Sequence, residues 1–204
     1  MDTNFVNRKN LPEGQRHLLA VCSSKPFLNN EGLNNEVPFH ICPFDPSIAN
    51  DMTHAIRQLK NELRGASVSV LEINLFDLVL DTLRSEGDLD WFLDNESEFD
   101  RDRLKGELQG ILDVETIIVP RINHEMSNAV FDLMFITGVG EVYPYIRSHN
   151  ILNNLQRVAK KQPTVLFFPG SYQHSLEKGA SLRLFNILMD DKYYRAFNIL
   201  DRAI

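Results

Sequence analysis

Residues 130–137 read VFDLMFIT, and Gly138-Val139-Gly140 follows directly. Apart from Asp132 and the closing Thr137 the run is apolar, with no alternating polar side. It therefore reads as a strand covered on both faces. Beyond the glycines, Pro144 marks the expected start of a helix carrying Ile151, Leu152, Leu155, Val158 and Ala159, which Pro163 ends. Strand, tight turn and helix are the repeating unit of a parallel α/β sheet.

The same alternation extends in both directions. Residues 164–168 (TVLFF) form a fourth strand, expected to break at Pro169-Gly170. Upstream, residues 67–74 (SVSVLEIN) are β-branched and strand-like, and an apolar-faced helix spans 76–85. Earlier still, residues 37–41 (VPFHI) read as a strand broken by Pro43. Asp45 is then an N-cap, and Pro46 takes the first helical position. Ile48, Met52, Ala55, Ile56, Leu59 and Leu63 recur at helical spacing until Gly65 closes the helix. Residues 103–112 read as helix, and 117–119 are ambiguous between helix and strand. Segments 182–188 and 193–199 read as one or two further strands. Residues 1–35 are an N-terminal extension, partly loop, with a short helical stretch at 17–22. The prediction is one α/β domain over residues 1–204. It has a mostly parallel central sheet with helices on both faces, resembling a nucleotide-binding fold without a functional P-loop.

Composition narrows the function. A chain of 204 residues with 43% hydrophobic and 24% charged residues can bury a substantial core. Twenty-one Lys and Arg against twenty-eight Asp and Glu give a net charge of -7, which disfavours direct nucleic-acid or anionic-membrane binding. Cys22 and Cys42 lack CxxC spacing and read as reduced structural thiols. The first ten residues are polar, without the apolar centre of a signal peptide, and no run approaches a membrane span of about 20 residues. A soluble, cytoplasmic protein is expected. Between 81 and 102, nine acidic residues and two basic ones surround Trp91, Phe92 and Leu93. This is either a solvated face or a docking surface.

The glycine turn is the sharpest motif. A phosphate loop needs G-x-x-x-x-G-K-[ST], with lysine on the terminal phosphates and a hydroxyl on magnesium. Here Glu141-Val142-Tyr143-Pro144 follows Gly140, without that lysine or hydroxyl and with a carboxylate that repels anions. Tyr143 stands where the dinucleotide fingerprint needs its third glycine. Arg147, His149 and Asn150 sit near the expected start of the next helix. There they could grip a carboxylate or phosphate in the strand-end crevice, or simply cap the helix. The six histidines include no helical zinc pair, and no serine-nucleophile elbow occurs. No catalytic residue, cofactor or metal ligand is assigned.

Four stretches taken together are distinctive: 70–80 (VLEINLFDLVL), 136–156 (ITGVGEVYPYIRSHNILNNLQ), 164–172 (TVLFFPGSY) and 182–199 (LRLFNILMDDKYYRAFNI). Read in this order they resemble the BrxB family, a component of bacterial BREX phage-exclusion systems. Residues 35–39 (NEVPF) are also similar to the family's first strand. The resemblance implies a cytoplasmic, non-catalytic interaction or assembly role among other BREX components, with the phosphatase-like PglZ protein as the direct partner. It implies involvement in host DNA methylation, phage restriction or both, and supplies no catalytic residues. Tyr193, Tyr194, Arg195 and Phe197 are candidate partner contacts, since Tyr and Arg are enriched at interface hot spots. They read equally as part of an edge strand. The competing expectation is a nucleotide- or phosphate-ligand sensor or enzyme built around Arg147 and His149.

Overall fold

The computed structural model describes residues 5–31, 38–175, 179–190 and 196–203. Two helices open the chain, α1 (Leu11–Cys22) and α2 (Lys25–Leu28), and lead to β1 (Phe39–Phe44). A 3-10 turn capped by the Asp45 carboxylate then feeds α3 (Ala49–Gly65). Next come β2 (Val70–Asn74), α4 (Leu75–Glu86), α5 (Asp88–Asn95) and α6 (Arg101–Ile111). A π-turn at Val114–Ile118 joins α6 to α7 (Val119–Asn128), which is followed by β3 (Leu133–Thr137) and α8 (Ser148–Leu155). Strands β4 (Thr164–Ser175), β5 (Gly179–Leu184), β6 (Leu188–Asp190) and β7 (Phe197–Asn198) complete the chain.

The sheet runs β2-β3-β4-β1-β7, and every neighbouring pair on that path is parallel. From β1 the chain crosses to the far edge at β2, then returns through β3 to β4. Parallel crossovers are right-handed, so connections running in opposite directions lie on opposite faces. Accordingly α1, α2 and α3 pack on one face, around Leu59, Leu63, Phe135 and Phe167. Helices α4 to α8 cover the other, around Leu83, Ile122, Ile151 and Phe168. In α3 the helical spacing seen in the sequence is the buried stripe: Met52, Ala55, Ile56, Leu59 and Leu63 all face the sheet. Full burial of a leucine such as Leu63 contributes about 2 kcal/mol.

Three local expectations are corrected. Pro43 does not break β1, because its carbonyl accepts the Val6 N–H at 2.9 Å on the side away from β4. A strand residue's N and O point the same way, so the missing donor falls on that side and the β4 ladder is unharmed. No helix starts at Pro144. The N–H groups of Tyr145 and Ile146 both bond to Val142 O, closing a single turn, and the backbone of Arg147 is extended before α8. Pro169-Gly170 does not end β4. The strand exchanges parallel partners for an antiparallel one there, with Gly170 paired to Leu184 of β5. The ambiguous residues 117–119 are helical, split between the π-turn and α7. Residues 5–31 pack into the core through Val6, Leu18, Val21, Cys22 and Phe27.

Candidate functional site

Alternation along the strands decides which side chains reach the carboxyl end of the α3-covered face. Leu133, Phe135 and Thr137 share that face in β3, as do Val70, Glu72 and Asn74 in β2. In both strands the apolar residues give way to polar ones at the carboxyl end. There the loop leaving β1 turns toward α3 and the loop leaving β3 turns toward α8. Between them opens a crevice of about 490 Å3, in the position where open α/β sheets take ligands.

Phe44, Met52, Ile56 and Phe167 form the apolar part of this crevice, and Asn50, Thr53 and Arg57 stand at its α3 side. Lys60 Nζ and Glu72 Oε2 make an ion pair at its β2 end. The hydroxyl of Thr137 donates to Glu72 Oε1 at 2.9 Å, so both carboxylate oxygens are engaged. The lysine and glutamate side chains keep 28% and 26% of their surface open to solvent, so both remain reachable.

The glycine turn forms one wall and is committed to packing. Gly138 has φ 73°, and a Cβ there would lie 2.5 Å from Asn74 Oδ1 and 3.0 Å from the Phe76 amide nitrogen. That Asn74 oxygen already accepts the N–H groups of Phe76 and Asp77, at 2.9 and 3.3 Å, and so caps α4. Gly140 lies under Pro169 and the Phe185 ring, 2.9 and 3.0 Å from where its Cβ would stand. Phe185 and Asn186 both adopt positive φ, at 52° and 61°, in the β5–β6 turn. Such a conformation is uncommon for an aromatic residue, and here it sets the ring against the crevice and edge-on to Tyr143.

The residues singled out from the sequence fall elsewhere. Arg147 and Ser148 line a separate hollow of about 310 Å3 with Tyr143, Phe168, Leu184 and Leu188. Arg147 is the N-cap residue of α8, without a side-chain capping bond. His149 is buried, and Asn150 is half-buried with its carbonyl accepting from Asn154 Nδ2 at 2.9 Å. Tyr193, Tyr194 and Arg195 lie outside the described residues. The Lys60–Glu72–Thr137 group went unnoticed in the sequence. Its signal was Glu72, a carboxylate inside the apolar strand VLEIN.

At the opposite end of the sheet, His40 of β1 is 1% exposed between the rings of Phe27 and Phe197, at 4.8 and 5.9 Å. The ring nitrogens lie near the backbone of Pro38 and Thr164 without a hydrogen bond of normal geometry, and the neighbouring Thr164 hydroxyl has no partner among the described residues. Burial, reinforced by the Arg202 guanidinium, pushes the imidazole down to about 4. Cys22 and Cys42 are fully buried, and burial pushes both thiols up, Cys42 to about 12, so neither is a ready nucleophile. Among the described residues, no three His, Cys, Asp or Glu side chains converge as metal ligands, and no helix is long and apolar enough to cross a membrane.

Comparison with known proteins gives a consistent result. The profile of the family described as BREX protein BrxB matches residues 71–199. A BREX protein BrxB from Bacillus cereus (strain H3081.97) is 33% identical over 192 residues, covering 91% of this chain and 95% of that protein. Another from Escherichia coli O9:H4 (strain HS) is 26% identical, covering 85% of this chain and 84% of its own length. No solved structure matches the chain.

Proposed function

This chain belongs to the BrxB family of BREX proteins, and we propose that it is a non-catalytic assembly component of its phage-defence system that binds the PglZ protein. Packing at the glycine turn carries this reading. In a phosphate loop, free amides and the start of a helix face the ligand together. Here the α4 amides are occupied by Asn74, Gly138 fills the space above them, and α8 begins only at Ser148. The crevice keeps an apolar floor and an ion pair, which suits a protein contact. A cytoplasmic location and involvement in host methylation, restriction or both belong to the same proposal.

Co-expression of the tagged chain with PglZ tests it. Recovery of a stoichiometric complex at moderate salt is expected, and absence of any complex overturns the PglZ assignment. Deleting the chain from an intact system, with methylation and phage exclusion scored separately, tests the assembly role. Loss of both is expected.

A second reading rests on the hollow beside Arg147 at the start of α8, where a phosphate or carboxylate could be held. A ligand bound there raises the melting temperature by mass action. No shift with millimolar nucleotides or inorganic phosphate removes that reading.

A further inference from the structure

The strand-end crevice continues past the Lys60–Glu72 pair. On the other side, Lys60, Glu72 and Asn74 border a second hollow of about 420 Å3, walled by Asp77 and Asp81 of α4 and by Glu125 of α7. Asp77 and Asp81 are four residues apart and share one side of their helix. Asp81 pairs with Arg84 at 2.9 Å, while Asp77 and Glu125 have no ion-pair partner among the described residues.

We propose that the two hollows form one docking groove for an extended segment of a partner protein, in which a bulky apolar side chain neighbours a lysine or arginine. The apolar side chain enters the hollow floored by Phe44, Met52, Ile56 and Phe167. The cation reaches Asp77 and Glu125, across the Lys60–Glu72 pair that separates the two. Charge selects the occupant. The combined lining carries five carboxylates, Glu72, Asp77, Asp81, Glu125 and Glu141, against Arg57 and Lys60. A nucleotide or a free phosphate is repelled by that balance, and a cation is attracted. A polypeptide supplies both features on one chain, since side chains two apart on an extended chain lie about 7 Å from each other on one side. β2, which contributes Glu72 and Asn74, is the outermost strand on this side of the sheet, so an extended segment can run beside it.

The inference rests on the assembly reading and names its surface. Thr53 is exposed at the apolar hollow, so Thr53→Trp blocks it from the solvent side. The double variant Asp77→Lys with Glu125→Lys reverses charge in the acidic hollow. Each is expected to lower recovery of the other co-expressed components of the system at least tenfold, with a melting temperature within about 4 °C of wild type. Wild-type recovery with both variants overturns the groove and leaves the assembly reading intact. Absence of every component with the wild-type chain overturns the assembly reading, and the groove with it. A photo-crosslinking phenylalanine analogue at position 53 identifies the occupant. Capture of a partner segment with Lys or Arg within two residues of a bulky apolar side chain is the expected result. Capture of a second copy of this chain, or of a segment without a cation, overturns the proposal.

Discussion

At the amino ends of β1 and β4, His40 is buried between Phe27 of α2 and Phe197 of β7, and Thr164 is buried beside it. Their side-chain polar atoms make no hydrogen bond of normal geometry among the described residues. At the carboxyl ends of the same sheet, Glu72, Asn74 and Thr137 have their partners, and Glu72 and Asn74 remain half-exposed. One end carries an energetic cost and is closed, while the other is satisfied and open. Unpaired buried polar groups cost about 1–3 kcal/mol each, so the sealed end must be offset by the apolar packing around it. The open end bears no such debt and can offer its charges to a partner. Two glycines, Gly138 and Gly170, keep the open end in shape, each where a side chain has no room.

The largest expected effect comes from Gly170→Ala. The residue has φ 155°, and an added Cβ would overlap the Arg183 carbonyl of β5, where side-chain motion gives no relief. A loss of about 4 kcal/mol is expected in denaturant unfolding, enough to detach the β5–β6 hairpin or unfold the chain. A loss below about 1 kcal/mol would mean that β4 and β5 separate freely at this point.

Acid acts next, at the sealed end. His40 titrates at about 4 when folded and near 6.5 when unfolded. Its contribution is therefore fully present above pH 6.5 and is lost as the pH falls toward 4, because only the unfolded chain takes up the proton in that window. The loss amounts to roughly 3 kcal/mol at the acid limit. Stability measured from pH 7 to pH 4 should fall for wild type and fall less for His40→Leu, which also removes the unpaired nitrogens. Equal slopes would place the acid sensitivity elsewhere.

Gly138→Ala combines left-handed backbone with a collision at Asn74, and should cost about 2 kcal/mol and loosen the α4 cap. Gly140→Ala meets the Pro169 ring and Phe185, side chains that can yield, and should cost about 1 kcal/mol. Glu141→Gln, on an exposed side chain, should stay within about 0.5 kcal/mol. If Glu141→Gln were the most damaging of the three, the turn would be held by charge and not by packing.

What the sequence disclosed followed the reach of each signal. The stripe from Met52 to Leu63 declares itself within one helix, and the runs 130–137 and 164–168 are apolar enough to be read alone, although β3 takes only 133–137 and leaves Val130 exposed. Residues 117–119 are too short to separate helix from strand, and their neighbours on α7 settle the question. Pro169-Gly170 looks like a stop because its antiparallel partner lies more than ten residues later, and no local window contains it. The site was less legible for the same reason. Arg147 and His149 are conspicuous beside the glycine turn, whereas Lys60, Glu72 and Thr137 come from three separate elements and meet only once the sheet forms. Glu72 was the one trace of them.

β4 crosses the middle of the sheet and then continues, without a loop, as one side of the β5 hairpin. Mechanically it is a lever with no joint: a pull on the hairpin passes along continuous backbone to Phe167 in the centre of the molecule. The Phe185 ring, in the β5–β6 turn that follows, rests on the crevice wall. The sheet's central strand thus leads without a break into the element that supplies part of the crevice wall.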